Sequence, residues 1–358
     1  MMKLYRFPLC AAVALAVVSP LNAQTTATTD PVGFVTVGIT AGTGSAKKNT
    51  LFSVPLLEAE SISGQVSGVI TGVSSNSISN TNAGWTAGAL SAPATPYLIQ
   101  VTSGAAEGRL FLIASSAATG GAVAGTANTA TTVTVSSVDT TQVNLTTLGI
   151  VAGTDTYKIY ACDTLSSFFG TPGTTGVQGG TGPASADTIV AVVNGSSSTY
   201  YYNTTSSKWV RSALGNPDSS NVPLLPYFGI QYSRLANTPL SFVVTGGVPT
   251  EPRKTAVKNS GTTIVSQFWP VDTTLGTSGL SSVVTAGASA SVADTVILTS
   301  GGAASTFFYN GTNWKKVVLG SPNADTQPIT IGSSIQIIRK GSAAGYSTLS
   351  QAVPYSLN

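Results

Sequence analysis

The chain contains no histidine among its 358 residues. That absence excludes imidazole acid–base catalysis, serine–histidine and cysteine–histidine nucleophile pairs, and nearly all zinc and copper chemistry. Cysteine is almost as scarce, with Cys10 and Cys162 alone. Cys10 falls in an N-terminal segment expected to be removed, so the mature chain would keep one thiol and could form neither an intrachain disulfide nor a thiolate cluster. The remaining thiol reads as buried and inert rather than reactive. Charged residues make up 8% of the chain, against a usual ~25%. The net charge of +3 falls to about +1 once Lys3 and Arg6 are removed. Nothing here forms the dense basic patch that nucleic acid needs, or a polybasic membrane anchor. No glycine-rich loop joins a strand to a helix to hold phosphate, and no D-x-D-x-D-G spacing offers a calcium loop. After the N-terminus, no apolar run reaches the roughly 20 residues of a membrane helix. The residues therefore call for no cofactor and no metal; Glu58-Ala59-Glu60 is at most a weak cation contact.

What the chain does have begins with an export signal. Lys3 and Arg6 form a positive start, Leu9–Val18 an apolar run of about ten residues, and Leu21-Asn22-Ala23 a cleavage site before Gln24. Residues 1–23 are thus expected to be removed, leaving about 335, enough for two or three domains. Low charge and abundant Ser, Thr, Asn and Gly give a surface with little repulsion between copies. Four Asn-x-Ser/Thr matches, at Asn144, Asn194, Asn203 and Asn310, are common in any chain this rich in Asn and Thr.

The second presence is a repeat. Ala186-Asp187-Thr188, Tyr200-Tyr201-Tyr202-Asn203, Trp209 and Leu214-Gly215-Asn216-Pro217 return as Ala293-Asp294-Thr295, Phe307-Phe308-Tyr309-Asn310, Trp314 and Leu319-Gly320-Ser321-Pro322. The register is 107 residues up to the Asn and 105 after it, where Gly229–Arg234 answers Ser334–Arg339. Duplicated β modules follow, at 156–250 and 251–358, separated by the turn-rich Gly246–Arg253. Each should run through a Gly/Ser-rich loop, a strand from Ala-Asp-Thr, an aromatic strand, a Trp strand and a closing strand. Asn310-Gly311 is a hairpin signal.

Ahead of them, residues 24–155 are expected to form a separate all-β domain, a sandwich or small barrel, because short β-prone runs alternate with turn formers and no 3.6-residue apolar period appears. Strands are expected at Leu51–Leu57, Gln65–Thr71, Ser74–Ser79, Pro96–Thr102, Arg109–Ala114, Thr131–Val138 and Gln142–Thr146. Leu51–Leu57 also hints at a third, degenerate copy of the module. Pro31–Thr40 is the most apolar strand, with Val35, Val37 and Ile39 on one face and Val32, Phe34 and Thr36 on the other. A strand apolar on both faces expects burial on both. It either pairs within its own domain or inserts into a neighbour's sheet, which makes Val32, Phe34, Val35, Val37 and Ile39 the candidate self-association strand.

Thirteen carboxylates remain for chemistry. A glycosidase needs only two, but Asp187 and Asp294 are repeat-related, and Asp218 and Asp325 fall in matching turns, where Asp caps its own backbone. The aromatic hairpins offer more. Tyr201, Trp209, Phe308 and Trp314 are candidate ligand or partner residues, because an exposed aromatic strip is where sugars stack and proteins dock; the competing reading places them in the module cores.

The mature start Thr29-Asp30-Pro31-Val32-Gly33-Phe34-Val35-Thr36, the segment Asn82–Leu90 (NAGWTAGAL), the stretch Tyr97–Gly108 (YLIQVTSGAAEG) and the module Asp272–Arg339 resemble a secreted paralogous family of verrucomicrobial bacteria. The resemblance spans essentially the whole mature chain. It implies an exported protein and brings no catalytic residue; this chain departs from the family in being unusually poor in charge. The expected function is therefore a non-catalytic structural or surface protein, extracellular or on the outer cell surface of a bacterium. It would associate with itself, as in a filament or layer, or with other surface proteins. The alternative is a carbohydrate-binding protein acting on polysaccharide through its aromatic strips. A carboxylate hydrolase and an outer-membrane barrel fit less well, the latter because the strands are irregular and the C-terminus Tyr355–Asn358 lacks a terminal aromatic.

Overall fold

The computed structural model describes residues 31–58, 62, 64–92, 94–116, 125–136, 144–193, 196–300 and 303–356. The expected signal and leader (1–30), Glu60, Asp139 and the Asn194-Gly195 pair lie outside them. The fold is all-β, as the turn-punctuated strand pattern requires, and among the described residues no helix is long and apolar enough to cross a membrane.

The first two strands are β1 (Val32–Ile39) and β2 (Lys48–Phe52). Neither belongs to the region that follows. Next come β3 (Ser67–Val69), β4 (Gly72–Val73), β5 (Ser77–Ser79), β6 (Tyr97–Val101), β7 (Leu110–Leu112), β8 (Thr132–Thr134) and β9 (Thr156–Ala161). These make a four-stranded sheet, β3-β9-β6-β7, and a three-stranded one, β4-β5-β8. Between them lies one core containing Ile78, Trp85, Ile99, Phe111, Val133 and Tyr157. The Trp85 indole N–H donates to the Gln65 carbonyl at 2.9 Å, and the ring meets Tyr157 edge-on. Of the strand expected at Gln142–Thr146, Gln142 and Val143 lie outside the described residues, and the rest enters a 3-10 turn, Leu145–Thr147, capped by the Asn144 side chain.

The chain then returns to β1 and β2. Strands β10 (Thr188–Val193), β11 (Ser196–Asn203), β12 (Lys208–Arg211) and β13 (Ile230–Arg234) join β2 in the order β12-β11-β10-β13-β2. Strand β14 (Leu240–Gly247) pairs antiparallel with all eight residues of β1. The last stretch adds β15 (Arg253–Lys258), β16 (Gly261–Ser266), β17 (Thr273–Thr274), β18 (Thr295–Ser300), β19 (Ala303–Tyr309), β20 (Trp314–Lys316), β21 (Pro328–Ile329), β22 (Ser334–Arg339) and β23 (Tyr346–Gln351). Its sheet runs β20-β19-β18-β22-β16, and β15 pairs with β23.

The two lists match strand for strand except for the short β17–β21 pair, whose place in the first copy is taken by the bridge between Thr164 and Pro223. Lys48 faces Arg234 as Gly261 faces Arg339, and Val35 faces Val244 as Thr255 faces Leu349. The duplicated module therefore begins at β1, and residues between about 57 and 162 are a domain inserted into its first copy. This corrects the boundaries expected at 24–155 and 156–250. Strand β9 belongs to the inserted domain, and the supposed third copy at Leu51–Leu57 is part of the first, running on from β2. The reason is that β2 finds its hydrogen-bond partner, β13, across the whole insertion, a distance no local pattern reveals.

The copies meet reciprocally. Phe52 bridges Ser333, and Val265, its repeat equivalent, bridges Phe228, the equivalent of Ser333. The Ser53 N–H donates to the Gly332 carbonyl at 2.9 Å, and the Ser266 N–H to Tyr227 at 3.3 Å. A contact in which residue i meets j′ while j meets i′ is the isologous contact of a two-fold dimer, built here within one chain. Leu57, Leu112, Cys162, Leu225, Phe228 and Trp269 share one apolar cluster that ties the inserted domain to both modules.

Candidate interaction surface

None of Tyr201, Trp209, Phe308 and Trp314 is more than 3% exposed. Tyr200, Tyr202 and Trp209 pack in the core of the first module, and the Trp209 indole N–H donates to the Gly170 carbonyl at 2.8 Å. A helix of five residues, Leu165–Phe169, N-capped by Thr164, brings Phe169 within 5.6 Å of the Trp209 ring. Tyr201 lies on the opposite face with Ala186 and Val210. That face is closed because the Gly/Ser-rich loop folds back over the hairpin. The Gly180 N–H donates to the Tyr202 carbonyl, and Thr204 N–H to Gly180. Gly180 fits only without a side chain, since a Cβ would lie 2.4 Å from Ser185 Oγ. The expected aromatic strips are thus core, and the loop that hides them was invisible to strand periodicity.

The repeat-related carboxylates are structural. Asp187 accepts from the backbone of Gln178 and Leu235, from Tyr232 Oη at 2.7 Å and from Arg234 Nη1 at 2.6 Å. Burial and the facing carboxylate push the Tyr232 phenol far up. Asp294 accepts from Thr285 and Lys340 N–H, each at 2.7 Å, and from Arg339 Nε at 3.3 Å. Burial works to raise the Asp294 carboxyl, but those donors outweigh it and hold it below the usual carboxylate range. Asp218 is lowered by the Lys208 ammonium at 2.8 Å. Asp325 is lowered by the Trp314 N–H at 2.7 Å. Among the described residues no three His, Cys, Asp or Glu side chains gather as a metal site.

Cys162 is buried, with its thiol directed at the carbonyls of Asp163 and Leu224. Burial and the neighbouring Asp163 push its pKa well up. The thiolate is the attacking species, so a buried thiol held in its neutral form is slow to attack disulfides. Ellman's reagent is therefore expected to titrate no thiol in the folded mature chain and one after unfolding; fast reaction of the native protein would contradict this placement.

Among the described residues, the β1–β14 ribbon leaves apolar side chains uncovered. In β1 Val35, Val37 and Ile39 face the core with Phe242 and Val244 of β14. Their neighbours do not: Val32 is 80% exposed, Phe34 73% and, on β14, Val243 62%. The expected burial of β1 on both faces is thus corrected, because the β1–β14 ribbon has only two strands and packs by one face. Val243 escaped sequence reasoning, although the alternation Ser241, Val243, Thr245 against Phe242 and Val244 was there to be read. Beside the ribbon opens a cavity of about 600 Å³ lined without a single charged residue, with Val37, Ile39, Leu51, Leu240 and Ile331 in its walls. Neither β1 nor β14 carries a charge, whereas one outer strand of each five-stranded sheet does, with Lys208 and Arg211 on β12 and Lys315 and Lys316 on β20. Lysine and arginine on an edge strand are the usual guard against edge-to-edge pairing. Two repeat-related turns also hold Leu214 and Leu319 wholly in solvent.

One charged outer edge on each five-stranded sheet, an uncharged apolar ribbon and carboxylates tied into the framework are the features this surface offers to comparison, and no family model, curated protein or solved structure matches the chain.

Proposed function

We propose that this chain is an exported, non-catalytic structural protein of the bacterial cell surface that associates with copies of itself. The observation that carries this reading is the β1–β14 ribbon, with Val32, Phe34 and Val243 exposed on one face and no charge on either strand. Exposed apolar patches rimmed by polar residues mark contact sites, and a chain with so few charges meets a second copy without electrostatic penalty. The signal-like N-terminus supports export, and the resemblance of Thr29–Thr36 to a secreted family supports the cell-surface setting. Self-association through the β1 strand is thus retained, with its exposed face and not its core face as the contact. The polysaccharide reading loses its basis, since its four aromatics are buried.

Deleting β1 would be a poor test, because the deletion removes three core side chains. The mature chain, Gln24 onward, is instead followed by light scattering and electron microscopy against V32S/V243S. Defined oligomers or polymers are expected for the parent. The double variant should need about tenfold more protein for half-assembly with an unchanged thermal midpoint. A parent that stays monomeric at high concentration would refute the reading.

A further inference from the structure

The internal repeat shows what a ribbon of this kind does when it is covered. Position 254 in β15 is the repeat equivalent of position 34 in β1, since Lys254 faces Ser350 as Phe34 faces Thr245. In the second module the edge of β15 is occupied. The Lys254 N–H donates to the Gly108 carbonyl of the inserted domain at 3.1 Å, Arg109 bridges Lys254 in parallel, and Lys254 Nζ reaches the Ala105 carbonyl at 2.8 Å. The approach is close enough that a Cβ on Gly108 would lie 2.0 Å from the Pro252 carbonyl oxygen. In the first module, among the described residues, β1 pairs with β14 alone. The edge that the inserted domain closes on β15 is therefore open on β1, at Phe34.

We infer that a second copy of this chain closes it: β1 pairs antiparallel with β1 of the second copy across a two-fold axis centred on Phe34, making a continuous sheet β14-β1-β1′-β14′. The inference rests on the self-association reading and specifies its contact. Strand addition to an exposed edge supplies backbone hydrogen bonds that a solvated edge otherwise gives to water. Three features select a second β1 as the partner. An antiparallel two-fold contact needs a self-complementary segment, and about Phe34 Val32 faces Thr36 and Gly33 faces Val35, with no like charges opposite one another. The axis sets Phe34 beside its own copy on the exposed face, an aromatic cross-strand pair of the kind that stabilises sheets. The equivalent strand β15 carries Arg253, Lys254 and Lys258, which would oppose such pairing.

The test places charge at the axis. F34K and F34E each set two like charges opposite one another in the homodimer, whereas a mixture of the two sets lysine against glutamate. Phe34 is largely exposed, so neither substitution disturbs the core. By light scattering of the mature chain at low salt, each variant alone is expected to lose the dimeric contact, with at least about a tenfold rise in dissociation constant. The equimolar mixture should recover it as a heterodimer, and the recovery should fade as salt is added. If the parent assembles and F34K assembles equally well, or the mixture fails to recover, the contact lies elsewhere and only this inference falls. A parent that remains monomeric removes the self-association reading with it.

Discussion

R234L is expected to lower folding stability by about 3–5 kcal/mol, the cost of leaving one partner of a buried ion pair without the other. The side chains of Asp187 and Arg234 are 0% and 3% exposed, and the guanidinium also donates to the carbonyls of Thr238 and Gly176 at 3.0 and 2.9 Å. With leucine in place, Asp187 keeps Tyr232 and two backbone donors but loses its countercharge in a buried site. The repeat supplies an internal control. Arg339 is 15% exposed and meets Asp294 at 3.3 Å, so solvent can compensate part of the loss and R339L should cost clearly less. Urea unfolding of both variants reads the difference. Equal and small effects would mean that the pair is not the clamp of the first module.

W209A and W314A should each cost about 3–5 kcal/mol, as truncation of a large buried aromatic does. Both indoles are almost wholly buried, and Trp209 also loses its hydrogen bond to Gly170. The same variants separate core from ligand roles. A lower unfolding midpoint at unchanged behaviour in a glycan-array screen fits a tryptophan that holds its module together. Normal stability with loss of a specific glycan signal would return these residues to a binding surface and overturn the burial described above.

The duplication was legible because its second half is local: Asp-Thr, aromatic strand, Trp strand and Leu-Gly-x-Pro turn follow one another without interruption in both copies. Its first half was not. In the register of the ladders, the strands β1 and β2 share little with β15 and β16 beyond Val37/Val257 and Thr50/Thr263, and an inserted domain separates them from β10 to β14. The ladders of Val32–Ile39 with Leu240–Gly247 and of Lys48–Phe52 with Ile230–Arg234 assign them to the first module. The one helix of note, Leu165–Phe169, is too short to show a period and is held by its cap and by aromatic packing.

What the sequence determined by itself is chemistry and element type. A chain without imidazole, with one thiol beyond its signal-like start and with few charges is limited in the reactions it can run, and turn-punctuated β-branched runs make strands whatever their partners. Which face of each strand meets water was decided only in three dimensions. Alternation marks two faces but not what covers them: the folded-back loop hides Tyr201, the inserted domain hides the edge of β15, and among the described residues nothing hides Phe34. Burial depends on partners distant in sequence, and a period of two residues carries no information about them.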